Sequence, residues 1–203
     1  MTILPNVLVV HPSLPVKSVK ELIALAKARP GELNYASGGI GAAGHLAAEL
    51  FKFMAGVNIA RIDYKGNAGA VTAIMGGEVQ MGFNSAPSVA PHVKSGRLRA
   101  LAVTSAQPSV LTPGLTTVAA SGLRGYESVV MVGIFSPAKT PAAIITRLNQ
   151  EIVRVLNRED VKEKLLSAGT EAVGNSPEQF LATIKSEMAT VGKLIKDTGI
   201  RVE

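Results

Sequence analysis

Short runs of β-branched and aliphatic residues alternate along the chain with stretches whose apolar positions recur every three to four residues, and this alternation predicts the elements. Asn6–Val10 reads as a strand stopped by His11-Pro12. Ser18 followed by Glu21 predicts a capping box, and Val19, Leu22, Ile23, Leu25 and Ala26 form the apolar face of the helix it opens. Arg29-Pro30-Gly31 ends that helix, and Leu33–Ala36 predicts a short strand running into Ser37-Gly38-Gly39-Ile40-Gly41. A helix over Ala42–Ala55 follows, with Leu46, Leu50, Phe51 and Met54 inward. Val57–Tyr64, Val79–Asn84 and Leu98–Thr104 read as further strands, separated by a helix at Ala68–Met75 and one opened by Pro87 that ends near Ser95-Gly96. Strands and helices alternating through short connections are the signature of a mainly parallel α/β sheet.

After this the pattern changes. Ser105 to Gly125 is a loop rich in Pro, Thr, Ser and Gly, with a short helix expected around Val118–Ser121. Val129–Phe135 predicts a strand ended by Ser136-Pro137, followed by helices over Pro141–Leu156, Asp160–Ala168 and Pro177–Thr198. In the last, Phe180, Ile184, Met188, Val191 and Ile195 make one apolar stripe. A boundary is expected near Tyr126–Ser128. The part beyond it offers one clear strand and several amphipathic helices that need a sheet to cover. Either that strand joins the sheet of residues 1–128 or its partner strands are missing from the chain.

Composition narrows the chemistry. With 47% hydrophobic and 18% charged residues, the chain is not intrinsically disordered. No stretch approaches the roughly 20 apolar residues of a spanning helix. The absence of cysteine excludes disulfides, thiolate metal sites and a cysteine nucleophile. His11, His45 and His92 lie far apart, so a histidine-rich metal site is not expected. Aromatic residues are 4%, too few for a stacking platform on nucleic acid. Of the net charge of +6, +5 falls in residues 1–128, scattered rather than striped. That distribution suits either a diffuse field for a small anion or ordinary solubility. Met1–Asn6 has no basic segment, and Val7–Val10 is too short for the apolar core of a signal peptide.

The strongest local feature is Asn34–Leu46, a glycine-rich turn between a strand and a helix. Such a turn exposes backbone N–H groups at the positive end of the helix and can hold an anion; the alternative is a tight turn with no ligand. Gly39-Ile40-Gly41-Ala42-Ala43-Gly44 spells G-x-G-x-x-G, but the strand before it is short and the acidic residue about twenty positions on is only approximated by Asp63. No Walker A motif occurs. Ser37, His45 and Asp63 could be imagined as a triad, yet no G-x-S-x-G elbow supports one, and His45 is expected to pack or hydrogen-bond inside the loop. His11 and His92 read as loop residues. Tyr64-Lys65-Gly66-Asn67 and Asn84-Ser85-Ala86-Pro87 follow strands, which places them on the same rim as the glycine loop. Asp63 is the only acid between Glu49 and Glu78, so paired-carboxylate catalysis has little support.

Pro5-Asn6-Val7-Leu8-Val9-Val10-His11-Pro12-Ser13, the Asn34–Leu46 loop, Tyr64-Lys65-Gly66, Leu98–Ser105 and Gly122–Glu127 together resemble the substrate-binding receptors of tripartite tricarboxylate transporters, the Bug family. The likeness runs in order from Pro5 to about Ile200, through Ser136-Pro137-Ala138 and Gly174-Asn175-Ser176-Pro177-Glu178. The resemblance implies an α/β, type II periplasmic-binding-protein architecture, with one complete lobe at residues 6–126 and the helix-rich C-terminal part of a second at 127–203. It implies a periplasmic receptor rather than an enzyme, without cofactor, metal or nucleic acid, that takes a small organic carboxylate and docks on the membrane components of a transporter. By the same resemblance the ligand falls to Ser37, Gly38, Gly39, Gly41, Ala42 and Ala43 of the loop, with Tyr64, Lys65, Asn84 and Ser85 on adjoining rim positions. By the same resemblance, the family's amino-terminal segment, with its signal peptide and second Gly-Gly loop, is expected to be absent. Ala42, Ala43 and Gly44 stand where the family often has hydroxyl residues, Asn84 where an acid is frequent, and Met131 where an aromatic is common. Two other readings are an α/β enzyme with the glycine loop as a phosphate or oxyanion site, and a non-binding fragment that self-associates through uncovered helices and a sheet edge.

Overall fold

The computed structural model describes residues 1–200, so the last three residues of the expected 127–203 segment lie outside it. Strand β1 (Thr2–Val10) organises the molecule. Its second half, Asn6–Val10, is buried throughout, and successive side chains serve opposite faces. Leu8 and Val10 enter a core with Tyr35, Phe51, Phe83 and Tyr126, while Val7 and Val9 enter another with Ile74, Val71 and Val89.

The remaining strands of this sheet are β2 (Asn34–Ser37), β3 (Ala60–Asp63), β4 (Met81–Ser85) and β5 (Arg99–Val103), in the order β3-β2-β4-β1-β5. β2 pairs parallel with β3 and β4, but β1 runs antiparallel to both β4 and β5. The expected mainly parallel sheet is therefore mixed, with β1 reversed between β4 and β5. Burial on both faces gives a continuous apolar run whatever the strand's direction, so periodicity carried no sign of the reversal.

Helices α1 (Val19–Ala28), α2 (Ala43–Ala55), α3 (Gly66–Met75) and α4 (Ala86–Lys94) complete this layer. Ser18 Oγ accepts the Glu21 N–H at 3.2 Å, but the Glu21 carboxylate takes the Lys17 N–H at 2.6 Å, so only half of the expected capping box forms. On α2 the fully buried positions are His45, Ala47, Ala48, Glu49, Phe51 and Ala55, whereas Leu46, Leu50 and Met54 are half-buried. The small residues let α2 sit close to the sheet: a Cβ on Gly44 would lie 2.3 Å from the Phe83 carbonyl oxygen. Val118–Ser121 is a turn rather than a helix, closed by the Ser121 N–H donating to the Thr117 carbonyl at 3.0 Å.

The strand expected over Val129–Phe135 stops sooner. β6 spans Val129–Val132, and Ile134 and Phe135 beyond it are 75% and 73% exposed. β6 does not stand alone: Thr2–Pro5 of β1 pairs with it, and Thr2–Ile3 pairs with β7 (Glu171–Ala172). β1 thus starts earlier than expected and hands over between two sets of partners at Pro5-Asn6. Helices α5 (Ala142–Leu156), α6 (Glu159–Ser167) and α7 (Pro177–Thr198) follow, α7 opened by a complete capping box between Ser176 and Gln179. α5 and α6 bury no residue fully, and α7 buries only Leu194. Between β6, α5 and α7 lies an apolar groove of about 680 Å³ lined by Val132, Phe135, Ile145, Leu148, Phe180 and Ile184, among others. This part is tied to the first layer by Thr170 Oγ1 donating to the Ile3 carbonyl at 3.0 Å, by Ser109 donating to Glu171, and by α7 packing on α2.

Candidate ligand-binding site

Reversal of β1 leaves the C-terminal ends of β2, β3, β4 and β5 on one rim, and the candidate residues gather there. The loop between β2 and α2 forms it. Gly39 and Gly41 adopt φ of 125° and 76°, values that a side chain opposes. Ser37 lies fully buried beneath the loop, where its hydroxyl accepts the Gly39 N–H at 3.1 Å and faces the Gly39 carbonyl at 3.2 Å. Its hydroxyl therefore shapes the loop instead of pointing out of it.

The amides of the loop divide into used and free. Gly41 N–H donates to His45 Nδ1 at 3.0 Å, and Ala42 N–H to the Gly39 carbonyl at 3.2 Å. α2 then begins with Ala42 as its N-cap, extended at φ −61° and ψ 153°, with no side chain capping it and no acid in the first turn. The first N–H groups of a helix have no partner within it. At Ala43, Gly44 and His45 they are left to whatever approaches, at the positive end of the helix dipole. The half-buried Gly38, Gly39, Ala42 and Ala43 line this spot, and Gly41 and Ile40 rim it.

The neighbouring loop packs against it closely. A Cβ on Gly38 would come within 3.1 Å of Gly66 and the Asn67 amide, and Tyr64 N–H donates to the Ser37 carbonyl at 2.8 Å. Asn84 is buried, and its amide donates to Asn67 Oδ1 at 2.8 Å while its own Oδ1 has no partner. Ser85 caps nothing with its side chain at the start of α4, and Lys65 is exposed at the start of α3. Of the predicted group, Ser37, Gly38, Gly39, Gly41, Ala42, Ala43, Lys65, Asn84 and Ser85 share the rim. Tyr64 starts there but sends its hydroxyl to Glu78 at 3.2 Å, and burial followed by the Glu78 charge raises its pKa. Its phenol is thus directed away from the loop.

Three further residues stand out in the structure. Asn67, which the Tyr64–Asn67 motif puts on the rim without a ligand role, is the partner of Asn84. Asn6, opposite Ser85 in β1, is buried with an unpartnered amide nitrogen, and its backbone is bracketed by the Thr104 hydroxyl at 2.8 and 3.0 Å. Arg61, inside β3, reaches His45 at 2.9 Å and Asp63 at 3.3 Å. The imagined triad does not assemble. Ser37 bonds to Gly39, His45 to Gly41 and Arg61, and Asp63 pairs with Arg61. What remains at the loop is a set of amide donors at a helix start, suited to holding an anion.

The family model described as "Tripartite tricarboxylate transporter family receptor" matches residues 1–200. Protein BugT of Bordetella pertussis is 34% identical over 199 residues, covering 98% of this chain and 61% of its own. A structure titled "R. palustris Rpa4515 with adipate" superposes with a TM-score of 0.80 at 36% identity, covering 98% of this chain and 67% of that one. A TctC solute binding protein from Polaromonas shares the fold with a TM-score of 0.86 at 24% identity, covering 97% and 68%. The chain thus spans about 60% of the length of the curated relatives it matches. By match and fold, the chain belongs to the receptor family of the tripartite tricarboxylate transporters.

Proposed function

We propose that the chain forms the larger part of a solute receptor that captures a small organic dicarboxylate, one carboxylate resting on the amides of Ala43 and Gly44. The observation that carries this reading is the uncapped start of α2: a helix N-terminus beside a built glycine loop, with its donors free and no acid to fill them. The bound adipate of the Rpa4515 structure, at 36% identity, supports a dicarboxylate as the ligand class. Lys65 and Ser85 on the same rim would meet the ligand's outer part, and Asn84 the floor. Residues 6–126 act as the lobe that carries this loop and 127–203, with Thr2–Pro5, as part of the facing lobe. Family membership supports a periplasmic location and handover to the membrane components of a tripartite transporter.

Ala42→Asp tests the site. An Asp at the N-cap would place its own carboxylate on the first-turn amides and should stabilise the protein by about 0.5–2 kcal/mol. Titration calorimetry with adipate and shorter dicarboxylates should show saturable binding to the native chain and at least tenfold weaker binding to the variant. No binding of any dicarboxylate to the native chain, or unchanged binding to the variant, would overturn the reading.

A further inference from the structure

His45 occupies an unusual position for an ionisable group. It is fully buried on the first turn of α2, and both ring nitrogens face hydrogen-bond donors. Nδ1 accepts the Gly41 N–H at 3.0 Å, and Nε2 stands 2.9 Å from an Arg61 guanidinium nitrogen. A guanidinium has no acceptor, and a neutral imidazole has one accepting nitrogen and one N–H. A neutral ring therefore leaves one of the two contacts mismatched whichever nitrogen carries its proton, and the Gly41 contact corresponds to the tautomer with the proton on Nε2. A second proton would make both contacts mismatched and would set two cations side by side.

The loop's geometry depends on the first of these contacts. Gly41 is held at φ 76°, and its amide is turned inward onto the ring rather than outward toward a ligand. We propose that His45 is a positioning residue that tethers the glycine-rich loop through the Gly41 amide, and that protonation of the ring releases the loop. The consequence for ligand affinity rests on the carboxylate reading above; the tether itself does not. Acidification would then detach Gly41, free φ at that residue and misplace the donors that follow it at the start of α2.

Among the described residues, the charged groups around the ring come from three elements. Glu49 and Lys52 lie on its own helix and pair with each other at 2.7 Å. Arg61 and Asp63 on β3 pair at 3.3 Å, and Tyr35 on β2 bonds to Glu49. Among the described residues, the end of α7 lines the polar cavity beside the ring with Thr198, followed by Gly199 and Ile200. Burial and Arg61 both oppose protonation, and Glu49 and Asp63 act weakly in the other direction. The two anions each have a cation of their own, which limits what they can offer the ring.

The test has two independent readouts. In the ligand-free protein, protection of the Gly41 amide from hydrogen exchange, corrected for the intrinsic rate, should fall at least tenfold between pH 7.5 and pH 5. His45→Asn keeps an acceptor near the Nδ1 position without a titrating group, so its Gly41 amide should stay protected and lose the pH dependence. His45→Leu removes the acceptor and should leave Gly41 unprotected at both pH values. Equal Gly41 protection in the native chain and both variants, or an identical pH profile in the native chain and His45→Asn, would overturn the tether. Adipate affinity, measured on the same samples, should fall about tenfold with acid in the native chain and stay level in His45→Asn. If Gly41 behaves as stated and adipate never binds, the tether stands and the carboxylate reading falls.

Discussion

Tyr35, Glu49 and Lys52 show how individual residues keep a carboxylate under the α2 face. The Tyr35 hydroxyl donates to Glu49 Oε1 at 2.7 Å, and the Lys52 ammonium meets the same oxygen at 2.7 Å while lying 5.6 Å above the Tyr35 ring. Tyr35→Phe removes one of two partners from a nearly buried acid, and we expect a loss of about 1–3 kcal/mol in a urea melt. Burial, then the hydrogen bond to Glu49, drives the Tyr35 pKa far upward. Its contribution is therefore complete below the unfolded value of about 10 and is lost as pH rises above it. His45 has the opposite dependence: burial and then Arg61 lower its pKa, so its contribution is present above the unfolded value of about 6.5 and is lost as pH falls below it. Denaturant midpoints at pH 7.5, 5 and 10.5 should decline toward both extremes, the acid decline shrinking in His45→Asn. Of this network the sequence showed His45 as a residue packing or hydrogen-bonding inside the loop, which its contact with Gly41 matches. Arg61 and Glu49 carried no sign of it in the sequence, because nothing in their spacing reports what lies across the sheet.

At the scale of elements, α2 is where expectation and structure part most usefully. Its apolar residues predicted a face of Leu46, Leu50, Phe51 and Met54, yet Ala47, Ala48 and Phe51 lie deepest. Propensity ranks large residues inward, whereas close approach of a helix to a sheet selects small ones, and here approach decides. Gly44 fixes the distance, since an added Cβ would sit 2.3 Å from a backbone carbonyl oxygen that cannot swing aside. Gly44→Ala should therefore push the start of α2 off β4, costing about 1–3 kcal/mol and weakening adipate binding more than the loss of stability alone would. Chemical-shift changes confined to the α2 start, the loop and Phe83 would check it; a neutral substitution would show that the helix seats differently. The glycine loop itself was legible as strand, turn and helix. Which amides it spends internally was not, because that depends on Ser37 and His45 folding back onto it.

Over the whole molecule, β1 is the shared member. Its first half pairs with β6 and β7 and its second half with β4 and β5. The change comes at Pro5, which has no N–H to give to a ladder. The apparent shortage of strands after residue 128 was thus partly relieved by residues at the other end of the chain. It was not relieved fully. The apolar groove between β6, α5 and α7 remains open among the described residues, with Ile134 and Phe135 standing largely in solvent. We expect this face to bind a fluorescent hydrophobic dye such as anilinonaphthalene sulfonate in the native state. Ile134→Ser with Phe135→Ser should cut that fluorescence several-fold while shifting stability by only about 0.5 kcal/mol, as exposed side chains do. Undiminished dye binding would locate the exposed surface elsewhere.

The sequence by itself determined the inventory. Local periodicity and capping residues set nearly every helix and strand, Ser176 and Gln179 fixed the start of α7, and the ordered motifs from Pro5 onward carried the family. These depend on neighbours within one or two turns, which a linear pattern records. Tertiary structure alone decided the direction of β1, the sharing of that strand between two sets of partners, the burial of Ser37 under its loop, and the meeting of Gly41, His45 and Arg61. Each of those depends on contacts between residues far apart in the chain or on the sign of a pairing, and hydrophobic periodicity is blind to both.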